Sequence, residues 1–168
     1  MRLLAHAQFR YEFLLPTGLL IQLVPPILPA SVVQAPLGAV TLLSWLAGSI
    51  VLILACALNW GYVGFRLVAL GVALNALVIT TNRGMPVATA ALRYLGVNGT
   101  AQQMEALTPL YHLAGDGTTL VLLSDVLPVP GPGLIQSVVS LGDLVLMVGI
   151  SLVVLDAAKS LLRASRTD

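Results

Sequence analysis

Two aspartates in the C-terminal half of the chain have the residue type and spacing to carry out chemistry. Asp125 lies in a short apolar segment, 120–127, and Asp143 follows 18 residues later inside an otherwise apolar run. A buried carboxylate without a partner costs several kcal/mol or stays protonated. Two carboxylates that lie close together share a proton, so that one activates water and the other protonates a leaving group. The Pro- and Gly-rich turn 128–133 could fold one aspartate back towards the other.

A structural role is the alternative interpretation of Asp143. Its carboxylate would pair with Arg83, or accept hydrogen bonds from neighbouring polar side chains and loop backbone. A buried pair of this kind specifies geometry more than it adds stability. The polar cluster predicted in this way comprises Asn82, Arg83, Asp125, Ser140 and Asp143.

Binding of a cofactor or an ion is a third interpretation. His112 is the candidate ligand for the metal of a haem or chlorophyll, although a lone histidine in a polar loop is more commonly solvated or hydrogen-bonded. The single cysteine, Cys56, lies in an apolar run and indicates a small buried hydrophobe. We therefore predict no metal site and no cofactor. A proton relay would need acids across the membrane, and the first three predicted spans contain none.

The composition indicates a membrane protein. Of the 168 residues, 58% are hydrophobic and 9% are charged, whereas soluble domains carry roughly 25% charged residues. A run of 53 residues between Glu12 and Arg66 contains no charge, which is long enough for two helices of about 20 residues. The net charge of +1 argues against a nucleic-acid partner. The expected partners are the lipid bilayer and other integral membrane subunits.

The predicted fold is all-α, a single transmembrane domain over residues 1–168 with about four membrane-spanning helices. Pro25 and Pro26 should end or kink the first of them, which we interpret as a retained helix rather than a cleaved signal peptide. The polar segment 82–136 should form an extracytoplasmic cap of short interfacial helices, near 87–95 and 101–114, with a re-entrant piece at 120–127. The predicted spans lie near 13–28, 39–58, 62–81 and 137–155.

The distribution of cations predicts the orientation of these spans. Arg83 and Arg93 fall on the side of the cap. The excess of six cations over two on the other side places both termini in the cytoplasm of a bacterium, with the chain in its inner membrane. The six are Arg2, Arg10, Arg66, Lys159, Arg163 and Arg166.

Short motifs carry two resemblances to known families. The run from Asn82 to Val87, Asn-Arg-Gly-Met-Pro-Val, and the run from Ser140 to Asp143, Ser-Leu-Gly-Asp, resemble an uncharacterised bacterial family of small membrane proteins, which implies no activity. A partial resemblance to signal peptidase II, the lipoprotein signal peptidase, rests on the Asn-x-Gly motif and the two aspartates. It implies that Asp125 and Asp143 are a catalytic pair. The two spans that this second family places between its motifs are absent here.

Two functions remain open from the sequence. Small residues on the predicted helices and few polar groups favour an accessory or structural subunit packed in a larger membrane complex, respiratory, photosynthetic or other. The alternative is an intramembrane aspartic peptidase that uses Asp125 and Asp143.

Overall fold

A computed structural model of the protein describes residues 9–27, 37–97, 110–132 and 136–164. In these ranges the helices are α1 (Leu14–Ile27), α2 (Leu37–Leu58), α3 (Val63–Asn82), α4 (Thr89–Tyr94) and α5 (Leu141–Ala164). The strands are β1 (Met85–Val87), β2 (Tyr111–Leu113), β3 (Leu127–Val129) and β4 (Ser137–Val139).

Three helices are long and apolar enough to cross a membrane. They comprise Gly38–Leu58, Val63–Asn82 and Leu141–Leu162, and at 1.5 Å per residue each is about 30 Å long, the thickness of the hydrocarbon core. Helix α1 has 14 residues and is therefore only about 21 Å long. The prediction of a mostly helical membrane protein is confirmed, whereas the count of four spans stays a prediction.

Helices α3 and α5 pack closely because glycines face each other along their contact. Gly64 lies against Gly149 and Val153, and Gly71 lies against Gly142 and Leu146. Since the contacts run in opposite directions along the two sequences, the helices are antiparallel. In each helix the two glycines are seven residues apart, which is about two turns and places them on one face. Small residues at such positions let helix backbones approach within van der Waals contact.

Helices α1 and α2 form a second antiparallel pair, again with glycines at the contact. A Cβ atom on Gly18 would lie 3.0 Å from the carbonyl oxygen of Gly48. The Gln22 side chain donates a hydrogen bond to the Ser49 hydroxyl at 3.1 Å. At the end of α2, the Asn59 amide accepts a hydrogen bond from the backbone of Arg10 and donates one back, at 2.7 and 2.9 Å. These contacts hold the N-terminal segment against the α2–α3 turn.

The cap lies at the end of the bundle where α3 ends and α5 begins, and it contains β-structure that the sequence prediction missed. Strand β1 pairs in parallel with β2, and β3 pairs antiparallel with β4. An isolated parallel bridge joins Val87 to Asp125 on the other edge of β1. The prediction of an all-α fold is therefore wrong for the cap, because Met85, Pro86 and Val87 form a buried central strand.

Because of these strands, several elements predicted in or next to the cap differ from those in the structure. The re-entrant piece at 120–127 is a single 3₁₀ turn, Val121–Leu123, followed by the bridge at Asp125. The last span begins at Leu141 rather than 137, because Ser137–Val139 is a strand. A short helix is present in the predicted range 87–95, as α4, and its place at the membrane interface stays a prediction. Most of the predicted helix 101–114 lies outside the described residues, and its last part contains β2.

The glycine contact between α3 and α5 gives a first prediction. In a Gly149→Ala variant the new methyl group would lie 2.6 Å from the backbone nitrogen of Val68 and 2.9 Å from the Gly64 carbonyl oxygen. Backbone atoms cannot rotate away, so the helices must separate, and we expect a loss of about 1–3 kcal/mol of stability. Thermal unfolding in detergent, followed by tryptophan fluorescence, measures the loss. Gly61→Ala is the control, since nothing lies within 4 Å of its Cβ position; equal unfolding midpoints for both variants would contradict the prediction.

Candidate functional site

The start of α5 is fixed by a reciprocal pair of hydrogen bonds between Ser140 and Asp143. The Ser140 hydroxyl accepts the backbone N–H of Asp143 at 3.0 Å, and the Asp143 carboxylate accepts the backbone N–H of Ser140 at 2.9 Å. This is the capping-box arrangement, in which a serine at the N-cap and an acid three residues later satisfy free N–H groups of the first turn. The Ser-Leu-Gly-Asp motif thus has a local structural function, which explains why the helix begins at Leu141.

A side chain from α3 completes this arrangement. The Asn75 amide donates a hydrogen bond to Asp143 Oδ1 at 2.7 Å. The Ser140 hydroxyl lies 2.9 Å from both Asp143 Oδ2 and Asn75 Oδ1, and donates its one proton to either oxygen. Ser140 and Asn75 are buried, with exposed fractions of 0% and 7%. Gly142 leaves room for the network, because a Cβ there would overlap the Asn75 amide oxygen.

Asp125 is held in the opposite way, by its backbone rather than its side chain. Its N–H donates to the Pro86 carbonyl at 3.0 Å, and its own carbonyl accepts the N–H of Ala88 at 2.8 Å. The residue is 4% exposed, and its Oδ1 atom has no hydrogen-bond partner within the described chain. Burial, together with the negative charge of Asp143, raises the pKa of Asp125 to about 7. Its carboxyl group therefore carries a proton over much of the acidic and neutral range.

One cavity of about 420 Å³ connects the two aspartates. Asp125 and Asp143 both line it, together with Tyr111, Val87 and strand β4. Partial burial, followed by the charges of Asp125 and Asp143, raises the pKa of Tyr111 to about 12. The phenol consequently remains neutral and able to donate a hydrogen bond into the cavity. Sequence analysis missed Tyr111, because its place beside the aspartates depends on the unpredicted pairing of β2 with β1.

The other predicted site residues lie elsewhere. The Asn82 side chain exchanges two hydrogen bonds with the backbone of Thr119, at 2.9 and 3.0 Å, and donates a third to Val78 at the end of α3. Arg83 and His112 line a separate cavity with Asn82. The predicted five-residue cluster is thus divided: Asn82 and Arg83 line one cavity, Asp125 and Asp143 line the other, and Ser140 is hydrogen-bonded to Asp143. Within the described ranges, no group of three or more His, Cys, Asp or Glu side chains could hold a metal ion.

Long apolar helices and a polar cap with two aspartates in one cavity define the class: a small membrane protein whose polar chemistry is concentrated at one end of its helices. Residues 6–155 match the model of DUF5317, a family of unknown function, and the chain belongs to this family. No curated protein and no solved structure matches it. The expectation of an uncharacterised family is confirmed, while the resemblance to signal peptidase II stays a prediction.

The buried carboxyl of Asp125 predicts a pH-dependent stability. Its pKa rises from about 4 when unfolded to about 7 when folded, so the folded state binds the extra proton between these values. Stability is therefore highest below pH 4, falls as the pH rises towards 7 and is constant above that. Three pKa units correspond to about 4 kcal/mol as an order of magnitude. An Asp125→Asn variant, neutral at every pH, should lose this dependence and be more stable than wild type at pH 8.

Thermal unfolding of the detergent-solubilised protein between pH 4 and 8 measures this effect. The matched control is Asp116→Asn, which removes an exposed carboxylate from the same cap and should leave the slope unchanged. Identical pH profiles for wild type and Asp125→Asn would show that the buried carboxyl does not titrate in this range.

Proposed function

We propose that the protein is a membrane-embedded aspartic hydrolase, most simply a peptidase, in which Asp125 and Asp143 act as a pair. The observation that carries the proposal is the shared cavity. In it, Asp125 is buried near Asp143, and its Oδ1 atom has no hydrogen-bond partner within the described chain. A carboxyl group with a raised pKa, such as Asp125, can serve as the acid of a pair in which the other carboxyl group serves as the base. The resemblance of the motifs to signal peptidase II agrees with this assignment.

The surroundings of the two aspartates assign them different tasks. Asp143, whose charge is stabilised by hydrogen bonds from Asn75 and Ser140, takes a proton from a water molecule as its oxygen attacks the amide carbon. Asp125 donates its proton to the carbonyl oxygen, which gives a neutral gem-diol. Asp143 then protonates the leaving nitrogen while Asp125 recovers a proton from the diol, and the C–N bond breaks. The products are a carboxylic acid and an amine, and both aspartates return to their starting states.

Two further features of the cavity support a peptide substrate. The neutral phenol of Tyr111 lines the cavity and can donate a hydrogen bond to the oxygen on which charge develops. Strand β4 belongs to a two-stranded sheet and lines the same cavity. Edge strands bind extended peptides through main-chain hydrogen bonds. We infer that the substrate enters the site as an extended segment beside β4.

A second candidate, the accessory subunit of a larger membrane complex, is favoured by a different observation. In the apolar stretch of the span Leu141–Leu162, only 11% of the residues are buried within the chain. Large apolar side chains such as Met147 and Val154 are exposed. Lipid or a neighbouring subunit would cover this surface. In this proposal Asp143 serves only to cap α5 and bind it to Asn75.

Single replacements of the two aspartates test the hydrolase proposal. Wild type, Asp125→Asn and Asp143→Asn are expressed at equal levels in bacterial membranes, and new N-termini of membrane and exported proteins are quantified by mass spectrometry. We expect each variant to lower cleavage by at least about 10³-fold, since both groups act in the same step. Wild-type cleavage of any substrate found should decline above pH 7 as Asp125 loses its proton.

Asp116→Asn and Asp156→Asn are the matched controls, because neither residue lines the cavity. Full cleavage by the aspartate variants would refute the hydrolase. If they instead release the chain from a larger native particle, the accessory-subunit proposal replaces it.

The proposed orientation, with the cap outside and both termini inside, can be tested with single cysteines. In a Cys56→Ala background, Asp116→Cys places a thiol on the exposed surface of the cap and Lys159→Cys places one near the end of α5. Because the distribution of cations in the sequence predicts cytoplasmic termini and an outer cap, we expect a membrane-impermeant maleimide to label only Asp116→Cys in intact cells. Lysed cells should label both. Labelling of Lys159→Cys alone before lysis would reverse the topology.

A further inference from the structure

A second cavity, of about 330 Å³, lies on the opposite face of the β1–β2 sheet from the aspartates. Successive side chains of a strand point to opposite faces. Tyr111 of β2 accordingly faces the aspartate cavity, whereas the next residue, His112, lines the second one. The remaining lining residues come from the end of α3 and the loop after β2. They are Thr81, Asn82, Arg83, Gly115, Gly117 and Thr118.

An exposed cation, Arg83, lines this cavity. Within the described part of the chain, the Arg83 guanidinium takes part in no hydrogen bond or ion pair. Arg83 adopts a left-handed backbone conformation, with φ of 57°, which is unfavourable for a non-glycine residue. A glycine at this helix end would avoid the cost. The hydrolase proposal does not use the Arg83 side chain.

The rest of the cavity is preorganised and offers hydrogen-bond donors. The double hydrogen bond between Asn82 and the backbone of Thr119 fixes the loop to the end of α3. The Thr118 hydroxyl accepts the N–H of Gly115 at 2.9 Å, so its own proton can be donated to a ligand. A Cβ on Gly84 would lie 3.0 Å from His112 Nδ1, so the imidazole is packed against the Arg83–Gly84 backbone.

The electrostatics of the cavity favour an anion. The C-terminal end of a helix carries a partial negative charge of about half an elementary charge, and two carbonyls near the end of α3 are already bonded. Ile79 accepts the N–H groups of Arg83 and Gly84, and Val78 accepts the Asn82 amide. The full positive charge of Arg83 therefore outweighs the partial negative charge of the helix end. Asp116, on the same loop, is exposed and does not line the cavity.

We propose that this cavity binds a phosphate group. Arginine forms strong, paired hydrogen bonds with phosphate oxygens, and threonine hydroxyls add further donors. Arg83 directly follows Asn82, the last residue of a membrane-length helix, so the cavity lies at the level of lipid headgroups if α3 spans the bilayer. The ligand is then either the phosphodiester of an anionic phospholipid or a free phosphate from the surrounding water.

Two sets of titrations test the site. The purified full-length protein in neutral detergent is titrated with inorganic phosphate against sodium chloride of equal ionic strength. Separately, it is placed in nanodiscs of phosphatidylcholine with or without phosphatidylglycerol. The unfolding midpoint is the readout in both. We expect a rise in the midpoint with at least one probe, and Arg83→Gln should weaken the effect about tenfold in ligand concentration, as for a lost charged hydrogen bond. Arg93→Gln, which removes a cap arginine outside the cavity, should leave it unchanged.

The outcomes separate the two sources of phosphate and also test the proposal. A response to inorganic phosphate assigns the site to a free anion, and a response to phosphatidylglycerol alone assigns it to a lipid. Asp116→Asn removes a nearby negative charge and should therefore strengthen phosphate binding in either case. A folding defect would weaken binding rather than strengthen it. If neither probe distinguishes wild type from Arg83→Gln, or if Arg93→Gln weakens the effect equally, the proposal is wrong and Arg83 serves only the end of α3.

Discussion

The hydrogen bonds among Asn75, Ser140 and Asp143 are the interaction on which the rest of the structure depends. They join α3 to α5 at the point where both helices meet the cap, and they define the first residue of α5. In an apolar surrounding such bonds are the specific contacts that fix how two helices align, since apolar side chains pack in many registers. The glycine contacts further along α3 and α5 then follow from this alignment.

The network also determines where the chemistry can occur. Because both Asp143 carboxylate oxygens accept hydrogen bonds, the side chain has one orientation and its charge is stabilised. Asp125 approaches from the cap on a backbone that is bonded to both Pro86 and Ala88. The two acids are therefore positioned by separate parts of the fold, one by a helix start and one by a strand edge. The cavity lies where these parts meet.

The long helices could be predicted from the sequence because their signal, some twenty apolar residues without charge, is local. The cap could not, since its strands have three residues each and are held by partners distant in sequence. Pro86 is an example. Proline has no backbone N–H and therefore argues against a central strand. Here it is tolerated because its edge of β1 forms only one isolated bridge, at Asp125. The importance of Asp143 was predictable from its burial in an apolar run, whereas Asn75 could be identified as its partner only once α3 and α5 were seen to be antiparallel.

Burial of the Asp125 carboxyl costs folding free energy, and this cost is what most favours the proposed hydrolase. A buried carboxyl with an unbonded oxygen costs about 1–3 kcal/mol even when it is neutral. The capping role of Asp143 explains that residue without catalysis, whereas the Oδ1 atom of Asp125 has no hydrogen-bond partner within the described chain. Proteins retain such locally unfavourable groups chiefly where function requires them. In the proposed hydrolase, the cavity shared with Asp143 provides that requirement, because general acid–base hydrolysis needs two carboxyl groups beside one substrate.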